Sequence, residues 1–232
     1  MDIGCQKFIR ACVPLHRKLG LRLSAVLMLL LVNTMAPAEL NFSAELLSKV
    51  KTKYGEQALN RVLDWQSLIK LTKNLPEQEK LKRVNDFFNQ HIEFVGDDHL
   101  WGVTDYWATP LEALSKGAGD CEDYSIAKYF TLKELGVAES KMRITYVKAI
   151  DLNQAHMVLT YFERPGVIPV VLDNLNPVIK LASKRDDLLP VYSFNGSGLW
   201  LAKARGTGKK LGGSSRLNKW SGLKSRMLSN KF

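Results

Sequence analysis

The chain reads as an α+β protein, a helical lobe packed on an antiparallel β-sheet, on three observations. Beyond residue 40, apolar residues first recur at three- and four-residue spacing, as on the buried faces of helices. Later, short apolar segments are separated by turn residues, as strands are. Between the two regimes lies Gly119-Asp120-Cys121-Glu122-Asp123, which places a thiol where a loop enters a helix.

The elements follow in order. Ser43 can cap a helix carrying Leu46, Leu47 and Val50, and Ala58, Val62, Trp65 and Ile69 keep the spacing of a second. Asn74-Leu75-Pro76 ends that helix, and Pro76 suits the first turn of a third, with Leu81, Val84 and Phe88 on its inner face. Residues 96–116 are less regular. They hold Asp97, Asp98, Trp101, Asp105, Tyr106 and Trp107 and read as a loop over a site, with its tryptophans as core or as substrate wall. The Cys121 helix continues through Ile126, Ala127 and Phe130 to Leu135, where Gly136 supplies its C-cap. Residues 142–150 form a strand, and 151–154 turn into a hairpin of 156–162 and 169–173 around Glu163-Arg164-Pro165-Gly166. Residues 191–194 and 199–202 add two short strands about Asn195-Gly196-Ser197-Gly198.

Chemistry concentrates on three residues of this scaffold. A thiol at a helix N-terminus is drawn toward thiolate by the helix dipole and the unpaired N–H groups. Asp120, Glu122 and Asp123 oppose that, so either a base gives Cys121 a positive neighbour or a cation neutralises the acids. His156 opens the first hairpin strand and Asp173 closes the second, symmetric about the Arg164-Pro165 bond, so cross-strand pairing brings them within reach. Taken singly, each has an ordinary reading: a small buried hydrophobe, a satisfied core histidine, a turn former. Their joint occurrence in the order cysteine, histidine, aspartate points to nucleophilic catalysis, with a base that holds the thiol proton and an acid that orients the base. The resulting thioester can be resolved by water or by an amine. Three adjacent carboxylates also suit calcium, a hard cation taking roughly six to eight oxygen ligands, better than zinc.

The two ends of the chain carry its charge. Of 33 basic and 23 acidic residues, residues 1–38 hold five basic and one acidic, and residues 203–232 hold nine basic and no acidic ones. The body between them is slightly acidic, so the net charge of +10 comes from the two ends and is poor evidence for a nucleic-acid surface on the folded domain. Lys7, Arg10, Arg17, Lys18 and Arg22 precede an apolar run over residues 23–32 and the small residues Ala36-Pro37-Ala38, the pattern of a secretory signal. Spanning a bilayer takes about 20 apolar residues, so this run is short for an anchor. Cleavage before Glu39 would leave 194 of the 232 residues, with Cys121 as the one remaining thiol. The domain then covers residues 39–202. The Gly-, Ser- and Lys-rich tail from 203 to 232 reads as a disordered extension that could touch anionic lipid.

The stretch Trp107-Ala108-Thr109-Pro110-Leu111-Glu112-Ala113-Leu114, then Gly119 to Tyr124, Ala155-His156-Met157-Val158-Leu159 and Leu172-Asp173-Asn174 together resemble the bacterial transglutaminase-like cysteine proteinases of the periplasmic LapG type. The similarity spans about residues 40–200. It implies a papain- or transglutaminase-like fold and a calcium-dependent periplasmic endopeptidase that cleaves a large surface adhesin near its N-terminus, after small alanine-type residues, releasing cells from a biofilm. It also implies Cys121 as nucleophile, His156 as base, Asp173 as orienting acid, and Asp120, Glu122 and Asp123 as calcium ligands. The implied regulator is an inner-membrane cyclic-di-GMP receptor of the LapD type that sequesters the protease. Two other classes stay open: a transglutaminase on the same triad, and a binding protein with a silent site.

Overall fold

The computed structural model describes residues 41–201 and 208–229, so the expected signal segment and residues 202–207 lie outside the described part. Helix α1 (Ala44–Tyr54) starts where Ser43 accepts the Leu46 N–H, and Gly55, at φ 88°, passes the chain into α2 (Glu56–Thr72). Val50, Ala58, Val62, Trp65 and Ile69 are all buried, so the periodicity found the inner faces of both helices. Pro76 sits one position ahead of α3 (Glu77–His91), whose Leu81, Val84 and Phe88 are fully buried.

Residues 96–116 depart from the expected loop. They contain α4 (Asp97–Leu100) and α5 (Pro110–Lys116), the latter opened by a full capping box. Thr109 Oγ accepts the Glu112 N–H at 3.1 Å, and Glu112 accepts the Thr109 N–H at 2.7 Å. A Thr-Pro-Leu-Glu signature therefore lay in the sequence and was masked by the irregular stretch before it. A short parallel pair, β1 (Glu93–Phe94) with β2 (Ala118–Gly119), then delivers the chain to α6 (Cys121–Glu134), which Gly136 follows at φ 83°.

The sheet is antiparallel. Strands β3 (Met142–Ala149), β4 (Gln154–Tyr161), β5 (Val170–Leu172), β6 (Lys180–Leu181), β7 (Leu188–Phe194), β8 (Leu199–Leu201) and β9 (Lys210–Gly212) lie in the order β6-β5-β4-β3-β7-β8-β9. One core joins the helices to the sheet through Ile144, Met157, Leu159, Tyr161, Leu172 and Phe194, and Val147, Val158 and Val171 form a separate small cluster. The hairpin register differs from the symmetric expectation: Leu159 pairs with Leu172, which, continued by one residue, sets Asp173 opposite Val158 and not His156. The shift is two residues. Because side chains alternate with period two, an even slip keeps His156 and Asp173 on one face as diagonal neighbours.

The C-terminal segment corrects the reading of a disordered tail. Residues 210–212 are strand β9 on the edge of the sheet, and α7 (Asn218–Ser229) packs Trp220 and Leu223, both 0% exposed, into the core. Trp220 lies against Phe130 (5.4 Å, stacked), Phe194 (5.2 Å) and Tyr129 (5.6 Å). Gly and Lys dilute the composition there, yet one large aromatic buries enough area to hold a helix down. The folded domain thus runs past residue 202 to at least 229. Among the described residues no helix is long and apolar enough to cross a membrane.

Candidate active site

Cys121 is the first residue of α6, and what holds this helix start is mostly its own carboxylates. Asp123 accepts the Asp120 N–H at 3.3 Å and the Ala108 N–H at 2.7 Å, fastening the helix to the segment that carries Trp107. A side chain at Gly119 would put its Cβ 2.7 Å from Asp123 Oδ2, which is why glycine stands before Asp120-Cys121. The Cys121 thiol donates to Glu122 Oε2 at 3.1 Å, and the main-chain N–H of Met157 on β4 reaches the sulfur. Cys121 and His156 line one cavity of about 610 Å³ with Phe94, Trp107, Tyr146 and Tyr192 among its walls.

On the sheet side, a buried chain of polar contacts ends in charge. His156 Nε2 donates to Asp173 Oδ1 at 2.8 Å. Asp173 also accepts from the Leu175 N–H at 3.0 Å and from Arg185 Nη2 at 2.7 Å, so it is an acceptor on every side. Nε2 therefore carries the ring proton, and Nδ1 is left to take one. Burial disfavours the Asp173 charge, but the contacts with His156 and then Arg185 and Leu175 outweigh it and hold the carboxyl at about 2. Arg185, 3% exposed, is itself gripped by Asp187 at 2.7 to 3.2 Å. The sequence reading missed Arg185. Its role depends on how the chain returns from β6, and an Arg-Asp-Asp run otherwise reads as a turn.

The helix side has the opposite balance. Oxygens of Asp97, Asp120 and Asp123 lie within 4.8 Å of one another, as do those of Asp97, Asp105 and Glu122. Burial, then the Glu122 and Asp123 carboxylates, pushes Asp120 up to about 9, and burial raises Asp123 and Asp97 as well. Burial and then Glu122 and Asp120 drive the Cys121 thiol far above its ordinary range, with the Met157 N–H pulling the other way. Asp97 Oδ1 and Asp120 Oδ1 are buried without a hydrogen-bond partner. Like charges facing unsatisfied acceptors fit a hard divalent cation held by oxygen. Asp120 and Glu122 were expected in such a set. Asp123 belongs to it geometrically, although Oδ2 also accepts the Asp120 N–H at the helix start and Oδ1 the Ala108 N–H. Asp97 and Asp105 were seen in sequence only as members of an acidic loop, since α4 and the following loop bring them to α6 through tertiary structure.

The C-terminal segment closes the cleft. Arg216, Leu217, Asn218 and Lys219 line the cavity, Lys219 pairs with Asp105, and Arg226 contacts the Trp107 carbonyl and stands 4.6 Å from the centre of the Tyr106 ring. Trp107 is a cavity wall stacked on Phe194 at 5.5 Å, whereas Trp101 packs on Tyr106 at 4.5 Å.

The family model of bacterial transglutaminase-like cysteine proteinases (BTLCP) matches residues 52–200. Solved structures of Legionella pneumophila LapG are similar over nearly their whole length. The EGTA-treated form is 43% identical, with 83% of this chain and 100% of that chain covered and a TM-score of 0.70. The calcium-bound form is 44% identical, with 80% and 99% covered and a TM-score of 0.67. Among curated proteins none matches the chain. With a helix-start cysteine, a sheet-borne histidine and an antiparallel sheet behind them, the chain belongs to the bacterial transglutaminase-like cysteine proteinases.

Proposed function

We propose that this chain is a calcium-dependent cysteine endopeptidase of the periplasm that cleaves the N-terminal region of a large surface adhesin after small, alanine-type residues and so promotes release from a biofilm. Cys121 is the nucleophile, His156 the base and Asp173 the orienting acid. The observation that carries these roles is the buried His156–Asp173 bond of 2.8 Å beside a cavity that Cys121 also lines.

The chemistry follows from what each group can do. Nδ1 of His156 takes the thiol proton, the sulfur adds to the scissile carbonyl carbon, and the imidazolium is stabilised by ionised Asp173. Collapse releases the amine, which receives the proton from His156, and leaves an acyl group on Cys121. Water activated by the same imidazole then frees the acid. Arg185 keeps Asp173 ionised and fixed, so Nε2–H stays the donor and Nδ1 the base. Asp97, Asp105, Asp120, Glu122 and Asp123 would hold calcium, which supplies positive charge that screens the thiolate from these carboxylates. Calcium is what one Legionella pneumophila LapG structure contains. Membership of a proteinase family favours water over an amine as the second nucleophile.

Regulation follows the same reading. An inner-membrane cyclic-di-GMP receptor of the LapD type would hold the protease away from its substrate. The test is to mix residues 39–232 with N-terminal fragments of giant adhesins from the same cell, with calcium and with a chelator. Cleavage that stops on chelation and returns with calcium supports the proposal. Cleavage indifferent to chelation removes the metal, and absence of any cleavage in calcium contradicts the protease reading. Incorporation of a labelled amine in place of hydrolysis would reassign the chain as a transglutaminase.

A further inference from the structure

Lys128 lies on α6 two turns beyond Cys121, is 1% exposed, stands 5.7 Å from the centre of the Tyr124 ring and, among the described residues, has one hydrogen-bond partner, Asn89 Oδ1 on α3, at 2.8 Å. A buried ammonium facing a neutral amide is costly, and burial pulls its pKa down to about 7 despite the fields of Asp173 and Asp86. Neither residue takes part in the chemistry above. What the pair does is set the direction of an amide. An ammonium can only donate, so it fixes Oδ1 of Asn89 toward Lys128 and thereby turns Nδ2 the other way. Nδ2 donates to the main-chain carbonyl of Asp173 at 2.9 Å. One turn earlier on the same helix, Asn85 Nδ2 donates to the Pro177 carbonyl at 2.8 Å, so two asparagines spaced by four residues fasten the loop that follows β5.

We infer that Asn89, aimed by the buried ammonium of Lys128, is a positioning residue that ties the Asp173 backbone to the helix bearing Cys121. The inference rests on the roles proposed above for Cys121 and Asp173. Arg185 and Leu175 hold the Asp173 carboxylate, but both come from the stretch of chain beyond β5 and neither bond reaches the helical lobe. The Lys128–Asn89 link crosses to the helical lobe, and so sets the distance between the nucleophile's helix and the acid's loop.

Three variants test it in the full mature chain with saturating calcium. Asn89→Ala removes the brace. Asn89→Asp keeps the acceptor that Lys128 needs while losing the donor to Asp173, and Lys128→Met removes the group that aims the amide. All three are expected to lower kcat for adhesin-fragment cleavage by about ten- to a hundredfold, with KM little changed. The imidazole Nε2 proton of His156, followed by NMR, is expected to shift or broaden in each. Should Lys128→Met fail to fold, the two Asn89 variants decide the matter. Parental kcat and an unmoved His156 signal in Asn89→Asp would overturn the inference. Parental cleavage in Cys121→Ala would instead overturn the catalytic roles, and the His156 signal would still read the brace.

Discussion

The two halves of the cleft hold the same kind of side chain in opposite electrical states. On the sheet, Asp173 is surrounded by donors from His156, Leu175 and Arg185 and is held at about 2. On the helix side, Asp120 faces Glu122, Asp123 and Asp97 in a buried setting and is pushed up to about 9. Asp173 is complete within the polypeptide, while Asp97 and Asp120 each present a buried oxygen with no partner. The difference teaches that one half of the site is assembled by folding alone and the other half is finished by something added. A cation at the acidic half would also relieve the pressure that keeps the Cys121 thiol protonated.

The largest expected effect breaks the comparison at its centre. Cys121→Ala, and separately His156→Ala, should abolish cleavage of an adhesin fragment, and residual turnover near the parental rate would show that the two halves do not meet in chemistry. Asp173→Asn should lower kcat by about 10³–10⁴ through loss of the tautomer that leaves Nδ1 free, with or without extra calcium. Rescue of that variant by calcium would erase the distinction between the halves.

The next effect is structural and tests the segment that closes the acidic side. Trp220→Ala should cost about 3–5 kcal/mol in urea unfolding, because the indole is fully buried against Phe130, Phe194 and Tyr129. A change below about 1 kcal/mol would mean that α7 detaches in solution.

Smaller effects sharpen the contrast. Asp120→Asn removes a carboxyl whose ionised form the folded state disfavours through burial and like-charged neighbours. In chelator it should raise the melting temperature, by about 1 kcal/mol of stability, and it should shrink the further rise that calcium gives the parent. Dependence on pH carries the same signs. Asp173 is depressed in the folded state, so its contribution is present above its unfolded value near 3.8 and is lost as pH falls toward about 2. Asp120 is raised, so its contribution is present below about 3.8 and is lost as pH rises toward about 9. Melts in chelator should therefore weaken from both ends, and calcium should flatten only the upper limb. A calcium increment independent of pH across that range would contradict the assignment of Asp120 to the acidic half.

How much of this was legible depended on whether the physics was local. Helices α1 to α3 were readable because Val50, Val62, Trp65, Leu81 and Phe88 keep helical spacing and are buried for that reason. The approach of His156 to Asp173 was readable despite a two-residue register error, because an even slip leaves the face unchanged. Helix α5 had its capping box in plain view at Thr109 and Glu112, and α7 had Trp220 and Leu223 three residues apart, but the surrounding composition hid both. Arg185, Asp97, Asp105 and Asn89 were beyond reach. Each acts across a tertiary contact between elements distant in the chain, which no spacing along the sequence encodes.

The most direct test of the central claim is the rate at which Cys121 is alkylated by iodoacetamide near neutral pH, in saturating calcium and in EGTA. A finished acidic half should favour the thiolate, so alkylation is predicted to be faster with calcium than in EGTA, and Asp120→Asn is predicted to shrink that ratio by reacting faster than the parent in EGTA and gaining less from calcium. Equal rates in calcium and EGTA would contradict the account, because the carboxylates would then not be what holds the sulfur in check.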